Sequence, residues 1–147
     1  MFRSIVVGTD GSDTARKAVE EAIGLAKALG ATIELVSAYE PVPNQRLRLQ
    51  ARAAPADMQW MVNPRKDVDA TLKQACETIQ DAGVEVTPYA REGDPADAIL
   101  DVAEERDADL IVVGNKGMTG AKRFLLGSVP NKVSHHAPCS VLIIRTT

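Results

Sequence analysis

The sequence predicts an α/β fold built on a mainly parallel sheet. Short aliphatic runs alternate with longer segments in which apolar residues recur at helical spacing. Three of the runs, at 5–7, 110–113 and 141–144, are apolar at every position, which is typical of central strands covered on both faces. The chain of 147 residues has the length of one ordinary domain. We therefore expect a single domain over residues 1–147, with three layers: a doubly wound sheet between two layers of helices.

Five strands are expected, and one of them carries an edge signal. The run at 84–87 alternates apolar and polar residues and is followed by Pro88, which places this strand at an edge of the sheet because proline donates no ladder hydrogen bond. The predicted strands span 4–8, 32–39, 84–90, 110–114 and 141–145.

Four helices are expected between the strands, each with its own start or stop signal. Cys76 falls on the apolar stripe of the second helix, so we interpret it first as a core residue. The stretch from Pro41 to Pro64 is the only long segment without a clear pattern, and loops of this length are often lids or binding loops. The predicted helices run from the N-cap Ser12 to Gly30, over 65–82 before Gly83, from Asp94 and Pro95 onward, and from near Ser128 to Ala137.

Composition narrows the classes of function. A net charge of -3 argues against broad nucleic-acid binding, which needs a large cationic face. Cys76 and Cys139 are the two cysteines, too few for a disulfide framework or a zinc cluster. No apolar run approaches the roughly 20 residues of a membrane span, and no signal peptide pattern opens the chain. We expect a cytoplasmic protein with no membrane and no nucleic-acid partner.

A group of glycines follows the predicted fourth strand. Gly114 and Gly117 lie at its carboxyl end, and Gly127 with Ser128 opens the next helix. Glycine lets a ligand approach the backbone, and the free N–H groups of a helix N-terminus attract anions. Lys116 or Arg123 can add positive charge and Ser128 a hydroxyl donor, so phosphate is the expected ligand. The alternative is that the glycines only turn the chain and Ser128 only caps a helix.

The first strand also ends in a small polar turn, at residues 8–12. In an open sheet whose order reverses between the first and fourth strands, both turns would face one crevice, where ligands of doubly wound folds bind. Asp10 in this turn suggests a ribose hydroxyl or a metal ion as its partner, and a capping role is the equally open alternative. Neither a P-loop motif nor a dinucleotide-binding glycine motif is present in the sequence, which disfavours P-loop hydrolases and ordinary dehydrogenases.

The glycine spacing resembles a known signature. Gly114-x-x-Gly117, nine intervening residues and Gly127-Ser128 are similar to the ATP-binding pattern of the universal stress protein family. The resemblance extends over nearly the whole chain. Its other parts are Ile5-Val6-Val7-Gly8-Thr9-Asp10-Gly11-Ser12, Glu92-Gly93-Asp94-Pro95 and Ala108-Asp109-Leu110-Ile111-Val112-Val113-Gly114.

The resemblance implies a fold, an assembly and a set of site residues. It implies an adenine nucleotide alpha hydrolase-like sheet in the order 3-2-1-4-5. It also implies a homodimer in which the last strand pairs across a two-fold axis through Val141, Leu142, Ile143 and Ile144. ATP, or ADP or cyclic AMP, is the implied ligand, with Mg²⁺ held by Asp10 as a further possibility. The implied nucleotide-binding residues are Asp10, Ala38, Gly114, Gly117, Gly127, Ser128 and Val129. Thr9 and Lys116, which lie in the same two turns, are further candidates, although the family pattern does not fix Lys116.

The sequence favours a binding module of the stress response over an enzyme. No serine or cysteine stands beside a base in a nucleophile motif. The alternatives are a slow ATPase or a self-phosphorylating protein that modifies Ser128 or Thr119, and a cyclic AMP-binding protein. A relative of the electron-transfer flavoproteins is a third class, but the length leaves no room for a flavin domain. For the adjacent His135 and His136 with Cys139 nearby, a solvated helix end is the main interpretation and a ligand set the alternative.

Overall fold

A computed structural model describes residues 1–40, 64–115 and 126–146. The long segment that precedes Pro64 lies outside the described residues, as do Lys116, Gly117, Thr119 and Arg123. The predictions made for those positions stay predictions.

Strands and helices alternate along the described chain, and the strands form one parallel sheet in the order β3-β2-β1-β4-β5. The predicted fold class and strand order are confirmed. No helix among the described residues has the length and hydropathy that a membrane crossing requires. The elements are β1 (Ser4–Gly8), α1 (Asp13–Leu29), β2 (Thr32–Tyr39), α2 (Pro64–Asp81), β3 (Val86–Glu92), α3 (Pro95–Glu105), β4 (Leu110–Gly114), α4 (Ser128–His136) and β5 (Ser140–Ile144).

Helix ends follow the capping signals closely. Ser12 Oγ accepts a hydrogen bond from Ala15 N at 3.3 Å and starts α1, and Gly30 ends that helix with a left-handed φ of 68°. Asp94 caps α3 by accepting from Asp97 N at 3.1 Å. Helix α4 starts at Ser128 as predicted, and its N-cap is Gly127, so Ser128 is the first helical residue and not the cap.

The core lies on both faces of the sheet. Helices α1 and α2 pack on one face, against a cluster that includes Ile5, Ile33 and Leu35. Helices α3 and α4 pack on the other, against a cluster that includes Val6 and Ile111. The side chains are almost all aliphatic, and Cys76 is buried in the first cluster as predicted.

The two edge strands of the sheet, β3 and β5, differ in part from the predictions. Strand β3 lies at an edge as expected, but it spans Val86–Glu92 rather than 84–90, with Pro88 inside it. An edge strand tolerates this proline because its outward side needs no ladder partner.

The last strand lies at the other edge, as the implied strand order has it, but its side chains are exposed or half-buried, so the expectation of burial on both faces is wrong for 141–144. β5 spans Ser140–Ile144, one residue earlier than predicted, and pairs with β4. Leu142 and Ile143 keep 37% and 38% of their surface exposed. An aliphatic run indicates that a strand favours burial, but not which surface covers it.

Candidate functional site

The candidate site lies at the carboxyl edge of the sheet between β1 and β4. These strands are neighbours, yet the chain continues from β1 into α1 on one face and from β4 into α4 on the other. Ligands of open α/β sheets bind at such a reversal of strand order. The crevice itself holds only about 20 Å³, so a larger ligand would lie above it. Its lining residues are Gly8, Thr14, Ala15, Ala18, Val113, Gly114 and Val129.

The turn after β1 is held by its own hydrogen bonds. Thr9 is 2% exposed, its N–H donates to Val36 O at 2.9 Å, and its Oγ1 accepts from Gly11 N at 3.2 Å. Asp10 is exposed, and its Oδ1 accepts from Ser12 N at 2.9 Å. The turn role that the sequence left open for Asp10 is therefore present, while Ser12 supplies the helix cap itself.

Thr9 also lines a second, larger opening. A cleft of about 250 Å³ lies between α1 and α2, with Arg16, Glu20, Gln74 and Thr78 among its polar lining residues. Sequence reasoning missed this cleft. Its existence depends on the distance between two helices, for which a single sequence carries no direct signal.

Ala38 lies one residue before the end of β2, opposite Arg91 of β3. It is half-buried and packs against the cluster under α3 and α4. Its backbone is thus at the same edge of the sheet as the turn after β1 and the end of β4.

Gly114 ends β4, and a neighbouring side chain of the same protein leaves little space for a Cβ at this position. A Cβ at this position would lie 3.2 Å from Cγ2 of Thr146 and 3.9 Å from the carbonyl oxygen of Thr14. The sequence suggested that glycine here serves the approach of a ligand. The described contacts show that Thr146 already occupies the space beside it.

Helix α4 begins without a side-chain cap. Its N-cap Gly127 is buried and has no side chain to accept a hydrogen bond, and its N–H donates to Asn115 O at 2.9 Å. The N–H groups of Ser128 and Val129 have no partner inside the helix, and Pro130 has no N–H at all. Two donors and the positive end of the helix dipole thus point to the candidate site.

The histidine and cysteine residues near the end of α4 form no recognisable ligand set. His135 and His136 are exposed in the last helical turn. Burial, and to a lesser degree the carboxylate of Asp109, raises the pKa of the Cys139 thiol. Over 1–40, 64–115 and 126–146, no three His, Cys, Asp or Glu residues come together as a metal site would require. For these two histidines, the solvated helix end is the interpretation that the exposure supports.

The strand order and the helices on both faces define a class: this is the adenine nucleotide alpha hydrolase-like fold of the structural neighbours. The chain belongs to the universal stress protein family, whose family model matches residues 1–145.

Named relatives and solved structures of the family match this chain over nearly its full length. The universal stress protein Rv1636 of Mycobacterium tuberculosis is 40% identical over 151 residues, covering 99% of this chain and 98% of that protein. A crystal structure of a universal stress protein in complex with cAMP is 32% identical, with a TM-score of 0.74 and 99% of both chains covered. The universal stress protein from Archaeoglobus fulgidus in complex with dAMP is 26% identical, with a TM-score of 0.67 and 98% of both chains covered.

Proposed function

We propose that this universal stress protein binds an adenine nucleotide, ATP or a related one such as ADP or cyclic AMP, and acts as a regulatory binding module in the stress response. The observation that carries the proposal is the N-terminus of α4 at the reversal of strand order, where the N-cap is a glycine without a capping side chain. Two relatives that share this fold at 32% and 26% identity bind cAMP and dAMP.

The phosphate end of the nucleotide lies at the start of α4 in this proposal. The backbone N–H groups of Ser128 and Val129 donate to phosphate oxygens, and the helix dipole adds to the attraction. Gly127 keeps the approach open because it brings no side chain. Gly114 and Gly117 complete the loop around the phosphates, as the family signature implies, and Lys116 adds a positive charge.

The nucleoside end lies over the ends of β1 and β2. Asp10 is exposed there and accepts a hydrogen bond from a ribose hydroxyl, while Thr9 holds the turn in place from below. The backbone of Ala38 contacts the adenine. Mg²⁺, if it accompanies a triphosphate, would bind the phosphates and the Asp10 carboxylate, although Oδ1 of that carboxylate is already engaged with Ser12 N at 2.9 Å.

Calorimetric titration of the purified protein with adenosine, AMP, cyclic AMP, ADP and ATP, with and without Mg²⁺, tests this proposal. Phosphorylated ligands should bind more tightly than adenosine, and GTP should bind more weakly than ATP. Equal affinity for adenosine and all its phosphates would contradict the assignment of the phosphate groups to the glycine loop and the start of α4. With γ-labelled ATP, intact nucleotide after hours supports a binding module, whereas released phosphate or labelled protein supports the enzyme alternatives.

A homodimer through β5 is the second part of the proposal. The outer edge of this strand has no partner among the described residues, and Leu142 and Ile143 are more than a third exposed. An aliphatic unpaired edge is a template for pairing with another chain. Pairing with the β5 of a second copy would bury these side chains together with Val141 and Ile144.

Ile143→Asp should convert the dimer to a monomer, as measured by light scattering after size exclusion. Because Ile143 is 38% exposed, the carboxylate remains hydrated in the monomer and the fold should survive. Thr87→Asp, an exposed position of the opposite edge strand β3, is the matched control and should remain dimeric. A dimer that persists in folded Ile143→Asp would refute the β5 interface.

A further inference from the structure

Asn115 links two elements through its backbone. It follows Gly114 at the end of β4, and its N–H donates to Ile144 O of β5 at 2.9 Å. Its carbonyl oxygen accepts from the N–H of Gly127, the N-cap of α4, also at 2.9 Å. The peptide groups of Asn115 thus join the end of β5 to the start of α4.

The side chain of Asn115 is held as firmly as its backbone. Its Oδ1 accepts from both the N–H and the Oγ1 of Thr146, each at 2.9 Å, which uses both lone pairs of the amide oxygen. A side chain with both acceptor sites filled has little freedom to rotate. The orientation of Asn115 therefore depends on Thr146.

Thr146 is itself fixed from three sides. It is 4% exposed, and its methyl group lies against Gly114. Its carbonyl oxygen accepts from Nζ of Lys17 on α1 at 3.1 Å. Thr146, two residues after the end of β5, is thus packed between the end of β4 and α1.

We infer that Asn115 and Thr146 are positioning residues for the phosphate end of the proposed nucleotide site. The inference rests on the proposed function. Thr146 holds the Asn115 side chain, Asn115 holds the Gly127 N–H, and Gly127 sets where the free donors of Ser128 and Val129 point. Neither Asn115 nor Thr146 needs to touch the ligand.

This chain of contacts predicts an effect on phosphate recognition rather than on binding in general. Donors at the start of α4 meet the phosphate, whereas adenosine is held over β1 and β2. A less firmly held Asn115 should therefore lower the affinity for AMP more than the affinity for adenosine. A merely structural role of Thr146 would lower the affinity for both ligands together.

The test compares Thr146→Val, which removes the hydroxyl but keeps the shape, with Thr146→Ser, which keeps the hydroxyl. Affinities for AMP and adenosine are measured by calorimetry after circular dichroism has verified folding. Thr146→Val should lower the affinity for AMP by up to about tenfold, since the energy of the one lost Thr146–Asn115 hydrogen bond limits the effect, and leave the affinity for adenosine unchanged. Thr146→Ser should retain the wild-type ratio of the two affinities.

Thr32→Val is the matched control. Thr32 Oγ1 donates to Arg3 O at 3.5 Å at the opposite, amino edge of the sheet, so the ratio should not change. If folded Thr146→Val keeps the wild-type ratio, the inference is wrong while the proposed function stands. If the wild-type protein binds AMP no better than adenosine, the proposed phosphate site fails and the inference fails with it. If Thr146→Val does not fold, Asn115→Ala replaces it as the test variant, because it removes the amide oxygen that accepts from Thr146. The same ratio of AMP affinity to adenosine affinity then decides the outcome.

Discussion

Replacing Gly127 by aspartate would put a carboxylate at the N-cap of α4. Gly127 has φ -63° and ψ 164°, nearly the angles of Ser12, φ -70° and ψ 163°, whose side chain caps α1. The backbone is therefore already in the conformation that a capping side chain uses. Because Pro130 has no N–H to donate, the new carboxylate would accept from Val129 N, one of the two donors that we assign to phosphate.

The expected loss of affinity has two parts. Occupying the Val129 donor removes a hydrogen bond to a charged group, about 1.5–3 kcal/mol or at least tenfold in affinity. The negative charge adds a repulsion of roughly 1–4 kcal/mol for each phosphate charge at about 4 Å. Aspartate is a good N-cap, but Gly127 is buried and a carboxylate in a buried position lowers stability, so the stability of the variant is measured alongside its affinity.

Gly127→Asn separates the two parts, because it blocks the same donor without the charge. Calorimetric titration with AMP should give wild type the highest affinity, Gly127→Asn about tenfold less and Gly127→Asp at least about fivefold less again. Thermal unfolding verifies that both variants fold. Wild-type affinity in folded Gly127→Asp would refute the assignment of phosphate to the N-terminus of α4.

Two further predictions concern stability and thiol chemistry. Burial raises the pKa of the Asp109 carboxyl, but the N–H groups of Arg3 and Ser4, at 2.8–3.0 Å, outweigh it and hold the pKa below its ordinary 3.8. Its stabilisation is thus complete above about pH 4 and lost as the pH falls through the lowered pKa, and Asp109→Asn should lower the free energy of unfolding in urea at pH 7 by about 1–2 kcal/mol. An unchanged free energy would contradict this. Burial also raises the pKa of the thiols of Cys76 and Cys139, and Cys76 is buried whereas Cys139 is half-buried. Ellman's reagent should therefore react slowly with Cys76 in native protein and quickly in urea; fast reaction of native Cys76 would contradict its burial.

Much of the fold could be predicted because its signals are local. The caps at Ser12 and Asp94 and the stop at Gly30 each depend on residues within one helical turn, and the structure confirms all three. The carboxyl-edge turns could be located in the same way, since each follows a buried aliphatic strand. The predicted start of the fourth helix near Ser128 is also confirmed, with Gly127 rather than Ser128 as its N-cap.

The sequence by itself predicted the α/β class and the parallel sheet, and the resemblance to the family supplied the strand order that the structure confirms; the ligand site at the carboxyl edge of the sheet stays a proposal. Only the tertiary structure decided that β5 leaves Leu142 and Ile143 exposed, and that Thr146 packs on Gly114 and holds Asn115. The physical reason is the range of the interactions. Capping and periodicity act between neighbours along the chain, whereas the contact of Thr146 with Gly114 exists only because pairing of β4 with β5 brings their ends together.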